Sequence, residues 1–191
     1  MKRGFLNIQY RLEMDIGALV SRTFYDGKVE SYLKRSGKNL FFHDVRGGIH
    51  DRNGSISCNE EAELAMKYAC RILHLHRNST VAILCYYRFQ MMKVSGLRDK
   101  DNFGRRLMVS TVDGYQGKEA DYVIVSTCAQ KFVVSRHVGE KVRTNVAISR
   151  GRRRLIVLGN GSILRNDKLW SVILCGMEHV RGSECFQVAY R

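Results

Sequence analysis

The chain contains no proline and is poor in acidic residues, with 18 Asp and Glu against 32 Lys and Arg. Without proline, one common stop signal for helices is missing, so the predicted helix ends depend on glycine and polar residues. The N-terminus lacks the apolar core of a signal peptide, and no apolar run approaches the length of a membrane span. We therefore expect no membrane partner. The net charge of +14 favours a polyanion such as nucleic acid, with a merely solubilising surface as the alternative.

Two catalytic signatures are also absent from the sequence. There is no Gly-x-x-x-x-Gly-Lys-Ser/Thr, so the chain has no phosphate-binding P-loop, and no strand ends in an Asp-Glu pair that would hold Mg²⁺. The Gly-x-Ser-x-Gly turn that carries a nucleophilic serine does not occur either. The sequence therefore gives no support to a hydrolase with a catalytic triad.

The six cysteines form no Cys-x-x-Cys pair, and several lie within apolar runs, as small hydrophobic residues do. This usage is typical of a reducing compartment, and we expect a cytoplasmic or nuclear protein. Cys70, His74 and His76 lie close together in sequence. Because no fourth ligand follows at a suitable spacing, we predict no metal site.

Helices and strands are predicted in alternation along the chain. The predicted helices cover residues 13–25, 59–74, 89–94, 143–150 and 168–180, and the predicted strands cover residues 39–44, 80–85, 107–111, 122–127 and 155–158. Residues 46–57 and 131–142 are predicted as loops, and residues 57–60 have the spacing of a capping box. Such alternation indicates a mostly parallel sheet covered by helices on both faces. No linker divides the chain, so we expect one domain over residues 1–191.

One polar segment, residues 111–119, separates two predicted strands and reads Thr-Val-Asp-Gly-Tyr-Gln-Gly-Lys-Glu. Gly114 and Gly117 allow tight turns and a close approach of the backbone to a ligand. Since α/β proteins bind their ligands at the ends of core strands, we expect this segment to bind one. The alternative is a polar turn between two strands.

A second segment, residues 143–150, reads Arg-Thr-Asn-Val-Ala-Ile-Ser-Arg and precedes the predicted strand 155–158. Five arginines and no acid lie between residues 143 and 154. A planar guanidinium matches phosphate oxygens in a bidentate manner, so this segment suits a phosphate-bearing ligand. A helix with a basic, solvent-facing side is the alternative. The tripeptide Gln9-Tyr10-Arg11 carries the same chemistry near the start of the chain.

In their order and wording, these three segments resemble the second RecA-like domain of superfamily 1 helicases, and most closely its Upf-like and senataxin-like branch. Residues 81–90 also resemble a strand-to-helix step of that family, with Tyr87 and Gln90 in matching positions. The resemblance covers about residues 5–182. It implies a RecA-like, P-loop NTPase-type α/β fold with three layers and a mostly parallel sheet, without a P-loop of its own.

The resemblance also implies roles for individual residues. Arg150 takes the position of the arginine finger, which neutralises charge on the γ-phosphoryl group, and Arg11 reaches the γ-phosphate. The nucleotide is further expected to contact Tyr10, Gln116, Gly117, Glu119 and Arg143. The nucleic-acid strand is expected to contact Thr111, Arg152 and Arg153.

In this family, ATP with Mg²⁺ binds between two RecA-like domains, and the ligands of Mg²⁺ belong to the first domain. The resemblance therefore implies that this chain forms one wall of the ATP site in a motor that acts on single-stranded RNA or DNA. Alone, it is expected to hydrolyse ATP poorly or not at all. Two alternatives are a non-catalytic nucleic-acid-binding module, such as a truncated helicase paralogue, and a gene-model fragment with no independent role.

Overall fold

The computed structural model describes residues 7–33, 37–97, 103–130 and 134–180. Its strands are β1 (Ile8–Gln9), β2 (Glu30–Ser31), β3 (Leu40–Asp44), β4 (Ile49–Arg52), β5 (Ser55–Cys58), β6 (Val81–Cys85), β7 (Leu107–Thr111), β8 (Ala120–Ser126), β9 (Gly151–Gly159) and β10 (Glu178–Val180). Six of them form one sheet in the order β10-β3-β9-β8-β6-β7, and every neighbouring pair in it is parallel. The predicted parallel α/β sheet is therefore confirmed.

Helices cover both faces of this sheet. They are α1 (Met14–Phe24), α2 (Asn59–Leu75), α3 (Arg88–Gly96), α4 (Arg136–Gly139), α5 (Lys141–Ile148), α6 (Gly161–Leu164) and α7 (Lys168–Cys175). Side chains of α1, α5 and α7 share one apolar core with one face of the sheet, whereas side chains of α2 share a second core with the other face. The result is the three-layer arrangement that alternating helices and strands predict.

Strand β6 shows why the central strands read as continuous apolar runs. All five of its residues are buried. Ala82 and Leu84 belong to the core beneath α1, and Val81, Ile83 and Cys85 belong to the core beneath α2. Because side chains alternate between faces along a strand, a strand buried on both faces needs an apolar residue at every position.

The predicted loop over residues 46–57 is wrong, because most of it forms the antiparallel hairpin of β4 and β5. Its two-residue turn is Asn53-Gly54, and both residues have positive φ angles, of 52° and 80°. Asn-Gly is the pair that a type I′ hairpin turn favours. The capping box is also wrong, since α2 begins at Asn59 after Cys58 and no side chain caps it.

Three further predictions need correction. The predicted loop 131–142 contains α4 and the start of α5, while residues 131–133 lie outside the described residues. The predicted helix 168–180 ends at Cys175, and β10 follows as an edge strand paired with β3. Strand β9 begins at Gly151, earlier than predicted. The three consecutive arginines therefore lie within a strand, where its register with β8 shifts between Ala120 and Tyr122.

Two segments return across the sheet from one edge to the other. We use the name carboxyl edge for the end of the sheet that holds the C-terminal ends of the parallel strands, such as those of β6 and β7. We use the name amino edge for the opposite end, where strands such as β8 and β9 begin. Since β7 and β8 are parallel to the same neighbour, residues 112–119 must run from the carboxyl edge at Thr111 to the amino edge at Ala120. Helix α5 runs the same way, because Arg143 near its start contacts Asp113 and its end leads directly into β9. Each segment therefore has one end at each edge.

Candidate functional site

Arg11, Glu119 and Arg150 meet at the amino edge. Glu119 directly precedes β8 and Arg150 directly precedes β9, where the Ala120 amide donates to the Arg150 carbonyl at 3.1 Å. Arg11 Nη2 donates to the Ser149 carbonyl at 2.9 Å, and Arg11 Nε lies 3.7 Å from Glu119 Oε2. Both side chains of that ion pair are 40% exposed. Two of the predicted phosphate-binding arginines are thus brought to one place.

Beside these residues lies an open cavity of about 370 Å³. Its lining includes both arginines together with Tyr25, Asn145 and Ser149. Burial lowers the pKa of Arg150, the nearby charge of Arg11 lowers it further, and Glu119 acts in the opposite sense. Because an arginine remains charged at neutral pH, this lowered pKa means that its positive charge is poorly compensated. A cavity lined by two arginines favours an anionic ligand.

In the tripeptide Gln9-Tyr10-Arg11, the side chain of Gln9 has a structural role. Gln9 Oε1 accepts from the backbone amides of Arg11 and Leu12 at 3.0 and 2.8 Å, and its Nε2 donates to the Leu12 carbonyl and to Ser31. These bonds fix the turn that presents Arg11. Tyr10 is 64% exposed, and its ring packs against that of Tyr32 with the centroids 4.8 Å apart and the planes tilted by 38°. Tyr10, a predicted nucleotide contact, therefore lies at the surface and not in the lining of the cavity.

The three arginines of β9 have different surroundings. Arg152 bridges two acids, with Nη1 at 3.2 Å from Glu119 and Nη2 at 3.3 Å from Asp121. Arg153 is 59% exposed at its side chain and lies 3.7 Å from Asp121. Arg154 is buried, with its guanidinium over the rings of Phe41 and Tyr122. All three lie at the amino edge, so the structure does not bring Arg152 and Arg153 together with Thr111.

Thr111 instead opens onto a groove at the carboxyl edge, which has a volume of about 440 Å³. Its lining combines strand ends, the tip of the β4–β5 hairpin, the start of α3 and helix α4, and consists of Asn53, Gly54, Ser55, Tyr86, Tyr87, Arg88, Thr111, Asp113 and His137. The rings of Tyr87 and His137 lie 5.2 Å apart. The groove therefore offers hydroxyl groups, aromatic faces and one arginine.

Arg143 lies beside this groove and not beside the cavity. Its Nε and Nη2 donate to the two carboxylate oxygens of Asp113 at 2.8 and 3.0 Å, and it also pairs with Glu140. His137 Nε2 donates to the Tyr86 carbonyl at 2.7 Å, which leaves Nδ1 to accept from Arg143 at 3.0 Å. Hydrogen bonds from Arg143 lower the pKa of Asp113. Arg143 is thus occupied by carboxylates.

Gln116 and Gly117 lie between the two edges, on the returning segment. Both are exposed, and Gly117 has a φ of +80°, where a side chain would strain the backbone. The preceding 3-10 turn is anchored by Tyr115, which is almost fully buried. The tight turn predicted at Gly117 is therefore confirmed, and the segment exposes its polar residues while one aromatic side chain holds it on the sheet.

Sequence reasoning missed several residues that complete these two sites. Asn145 Nδ2 donates to the Tyr25 hydroxyl at 3.2 Å across the mouth of the cavity. Asp113 and His137 connect α5 to the groove. Asn145 and Asp113 lie inside the two recognised segments, so their spacing was available as a signal. His137 had no such signal, because its role depends on contacts that are distant in sequence.

The donor groups of the cavity do not suit a metal ion, because its charged side chains are arginines. Within the described ranges, no group of three or more His, Cys, Asp or Glu residues is arranged to hold a metal. His74 Nδ1 contacts the Cys70 carbonyl, and His76 stacks on Tyr122. Among the described helices, none is long and apolar enough to cross a membrane. The cavity fits the phosphate groups of a nucleotide, whose Mg²⁺ would need ligands from elsewhere.

Comparison with known proteins connects this arrangement to helicases. A family model described as "AAA domain" matches residues 1–162. The chain is 30% identical over 197 aligned residues to the mouse 5'-3' DNA helicase ZGRF1. This alignment covers 96% of the chain and 10% of that protein. It is 27% identical to the fission yeast helicase sen1, covering 88% of the chain and 11% of that protein. The chain therefore spans about a tenth of the length of these relatives.

Two further proteins extend the comparison. The chain is 26% identical to regulator of nonsense transcripts 1 from Dictyostelium discoideum, covering 88% of the chain and 14% of that protein. Among solved structures, the C-terminal domain of a possible DNA helicase from Lactobacillus plantarum superposes with a TM-score of 0.59 at 11% identity. That match covers 90% of this chain and 98% of the other. The structural likeness supports the fold alone, which is that of a RecA-like helicase C-terminal domain.

Proposed function

Because the chain belongs to the AAA domain family of helicase C-terminal domains, in its Upf-like branch, we propose that it is the second RecA-like domain of an ATP-dependent helicase. The observation that carries this proposal is the pair of arginines, Arg11 and Arg150, in one open cavity at the amino edge. In this proposal the cavity is one wall of the ATP site. The first RecA-like domain, which would contribute the P-loop and the Mg²⁺ ligands, forms the other.

ATP with Mg²⁺ supplies the phosphoryl group that is transferred to water. Arg150 acts as the arginine finger and neutralises the negative charge that develops on the γ-phosphoryl oxygens. Arg11 binds the same group in the ground state, because its guanidinium is half-exposed and its backbone is fixed by Gln9. The exposed ring of Tyr10 packs against that of Tyr32, and in this proposal the adenine ring packs on Tyr10.

Single-stranded RNA or DNA lies along the carboxyl-edge groove in this proposal. Thr111 contacts the phosphate backbone through its hydroxyl, and Arg88 neutralises a phosphate at the rim. The exposed part of Tyr87 offers a face on which a base stacks. The net charge of +14 supports a polyanionic partner. Helix α5 and residues 112–119 then join the strand groove to the ATP cavity, so that domain closure around ATP moves the groove.

Residues 112–119 and α5 also suggest parts for the remaining predicted site residues. Gln116 and Gly117 lie along the seam between the cavity and the groove, where they contact whichever ligand reaches the exposed turn. Arg143 contacts ATP only if it leaves Asp113, so its first role is to hold the start of α5. Arg153 is largely exposed, and it contacts nucleic acid only if the nucleic acid extends to the amino edge.

The test is the strand-stimulated ATPase activity of a polypeptide in which this chain follows its first RecA-like domain. Arg150→Ala should lower kcat by roughly three to five orders of magnitude, because that is the effect of losing an arginine finger. Arg105→Ala is the matched control, since Arg105 is exposed and outside the cavity lining, and it should leave kcat unchanged. Wild-type kcat in Arg150→Ala would show that the finger assignment is wrong.

A non-catalytic strand-binding module is the second candidate function. It is favoured by two observations: this chain forms the groove, and its sequence contains no P-loop. This candidate predicts that the isolated chain binds a labelled oligonucleotide with a steep dependence on salt concentration, and that ATP does not change the affinity. If the joined two-domain protein also shows no strand-stimulated ATPase, this second function replaces the first. A cytoplasmic or nuclear location is proposed for either function.

A further inference from the structure

The carboxylate of Glu119 lies between two arginines that have different surroundings. On one side, Oε2 is 3.7 Å from Arg11 Nε. On the other, Oε1 is 3.2 Å from Arg152 Nη1. The three side chains are exposed to similar extents, from 40% to 43%. A bound anion can therefore reach Arg11, and it would compete there with the carboxylate of Glu119.

The arginine on the far side is held more firmly. Arg152 also pairs with Asp121 at 3.3 Å, and the side chain of Asp121 is only 13% exposed. The second carboxylate oxygen of Asp121 accepts from the backbone amide and the hydroxyl of Thr80, at 2.9 and 3.0 Å. Through these contacts, Asp121 holds Arg152 against Thr80 at the amino edge. Arg11, by contrast, is tied by one hydrogen bond to the Ser149 carbonyl and by the longer contact with Glu119.

We propose that Glu119 is an internal counterion that holds Arg11 while the phosphate site is empty, and that Arg152 is the positioning residue to which Glu119 is released when phosphate binds. This inference rests on the proposed phosphate site at Arg11 and Arg150. It assigns Arg152 to the nucleotide side of the domain, and not to the nucleic-acid strand. Glu119 then sets the affinity of the site by competition, and does not contact the phosphate itself.

The charge balance at the amino edge gives the physical reason. Three guanidinium groups, those of Arg11, Arg150 and Arg152, lie near the carboxylate of Glu119, and within the described residues only Arg152 among them has a second carboxylate partner, Asp121. A polyphosphate brings several negative charges to Arg11 and Arg150, so a carboxylate that stayed on Arg11 would repel it. Moving Glu119 wholly to Arg152 removes that repulsion and keeps the carboxylate paired.

The first test measures the binding of inorganic tripolyphosphate to this chain, at constant ionic strength, by titration calorimetry. Glu119→Gln should lower Kd about threefold to fivefold, which is the range expected from the removal of a half-exposed competing ion pair. The matched control is Glu63→Gln, because Glu63 is exposed on α2 and its replacement changes the net charge equally. If Glu119→Gln binds no more tightly than Glu63→Gln, the counterion proposal is overturned.

The second test uses the opposite change. Arg152→Gln leaves Glu119 with Arg11 as its partner, so Kd for tripolyphosphate should rise about threefold to fivefold. Arg105→Gln loses the same charge at an exposed position outside the cavity lining and should alter Kd by less than about twofold. Equal effects of the two variants would contradict the positioning role of Arg152.

Two variants separate this inference from the proposed function. If the phosphate site is correct, Arg11→Ala and Arg150→Ala each weaken tripolyphosphate binding, whatever Glu119→Gln does. If neither variant weakens it, the proposed site itself fails, and the tighter binding expected of Glu119→Gln should be absent too. Melting curves by circular dichroism identify any variant that has lost its fold, and Glu119→Ala then replaces Glu119→Gln in the comparison.

Discussion

The ion pair between Asp113 and Arg143 should stabilise the start of α5, the helix that leads to Arg150, by a measurable amount. The pair is bidentate, with distances of 2.8 and 3.0 Å, and the side chains of Arg143 and Asp113 are 20% and 62% exposed. Exposed ion pairs contribute about 0.2–1 kcal/mol, and bidentate geometry favours the upper end of that range. We therefore expect a coupling free energy of about 1 kcal/mol from a double-mutant cycle of Asp113→Ala and Arg143→Ala.

The assay is urea unfolding of the wild type, the two single variants and the double variant. Hydrogen bonds from Arg143 lower the pKa of Asp113 in the folded state. The stabilising contribution is therefore complete above the unfolded pKa of about 3.9, and it is lost as the pH falls through the lower folded value. The difference between the wild type and Arg143→Ala should be constant from about pH 5 to 7 and should shrink below about pH 4.

A second ion pair provides the control for that cycle. Lys38 and Glu178 lie 3.3 Å apart with side chains 66% and 34% exposed, and they make a single contact. Their coupling free energy should be close to zero, at about 0.3 kcal/mol or less. If the Asp113–Arg143 coupling is no larger than this control, or if it does not change with pH, the ion pair does not anchor α5.

Three further predictions concern other parts of the molecule. Glu61→Ala should lower the free energy of unfolding by about 3 kcal/mol or more, because the buried carboxylate accepts from Ser126, from the Cys128 amide and from Gln130; a loss below about 1 kcal/mol in urea unfolding would contradict this. Gly54→Ala should lower the free energy of unfolding by about 1 kcal/mol, because φ is +80°. The added Cβ meets no atom within 4 Å, so the cost comes from the backbone conformation alone, and an unchanged melting temperature would contradict this prediction. Tyr10→Ala in the two-domain protein should raise KM for ATP about fivefold with little change in kcat, and an unchanged KM would exclude the adenine contact.

The central strands could be predicted because their environment is uniform. Residues 81–85 are buried on both faces, so an unbroken apolar run identifies them whatever their neighbours are. The same reasoning holds for residues 122–126 of β8. The parallel order then follows from the alternation of strands with helices, because each crossover must cover one face of the sheet.

Side-chain pairing between distant segments could not be predicted in this way. Arg143 carries the same charge whether it meets a phosphate or a carboxylate, and only the fold brings Asp113, which is 30 residues away in sequence, within 3 Å. Arg154 lies in a basic run, yet it is buried because the strand begins early enough to turn it towards two aromatic rings. Pattern and composition do not contain these distances.

The hairpin was missed for a different reason. Residues 46–57 are rich in Gly, Asn, Asp and Ser, which lowered their predicted strand content. The pair Asn53-Gly54 is itself a strong hairpin signal, because both residues tolerate positive φ. The tip of the hairpin lines the groove, so recognising the hairpin would also have located part of the proposed nucleic-acid-binding site.

The most direct measurement of the central proposal is a crystal structure of the two-domain protein with Mg²⁺, ADP and aluminium fluoride, which mimics the γ-phosphoryl group in the transition state. In the structure, Arg150 Nε donates to the Val146 carbonyl at 3.2 Å. We predict that the guanidinium of Arg150 contacts a fluoride at about 3 Å, and that Arg11 contacts the same group. A complex in which Arg150 makes no contact with the fluoride would contradict the arginine-finger assignment.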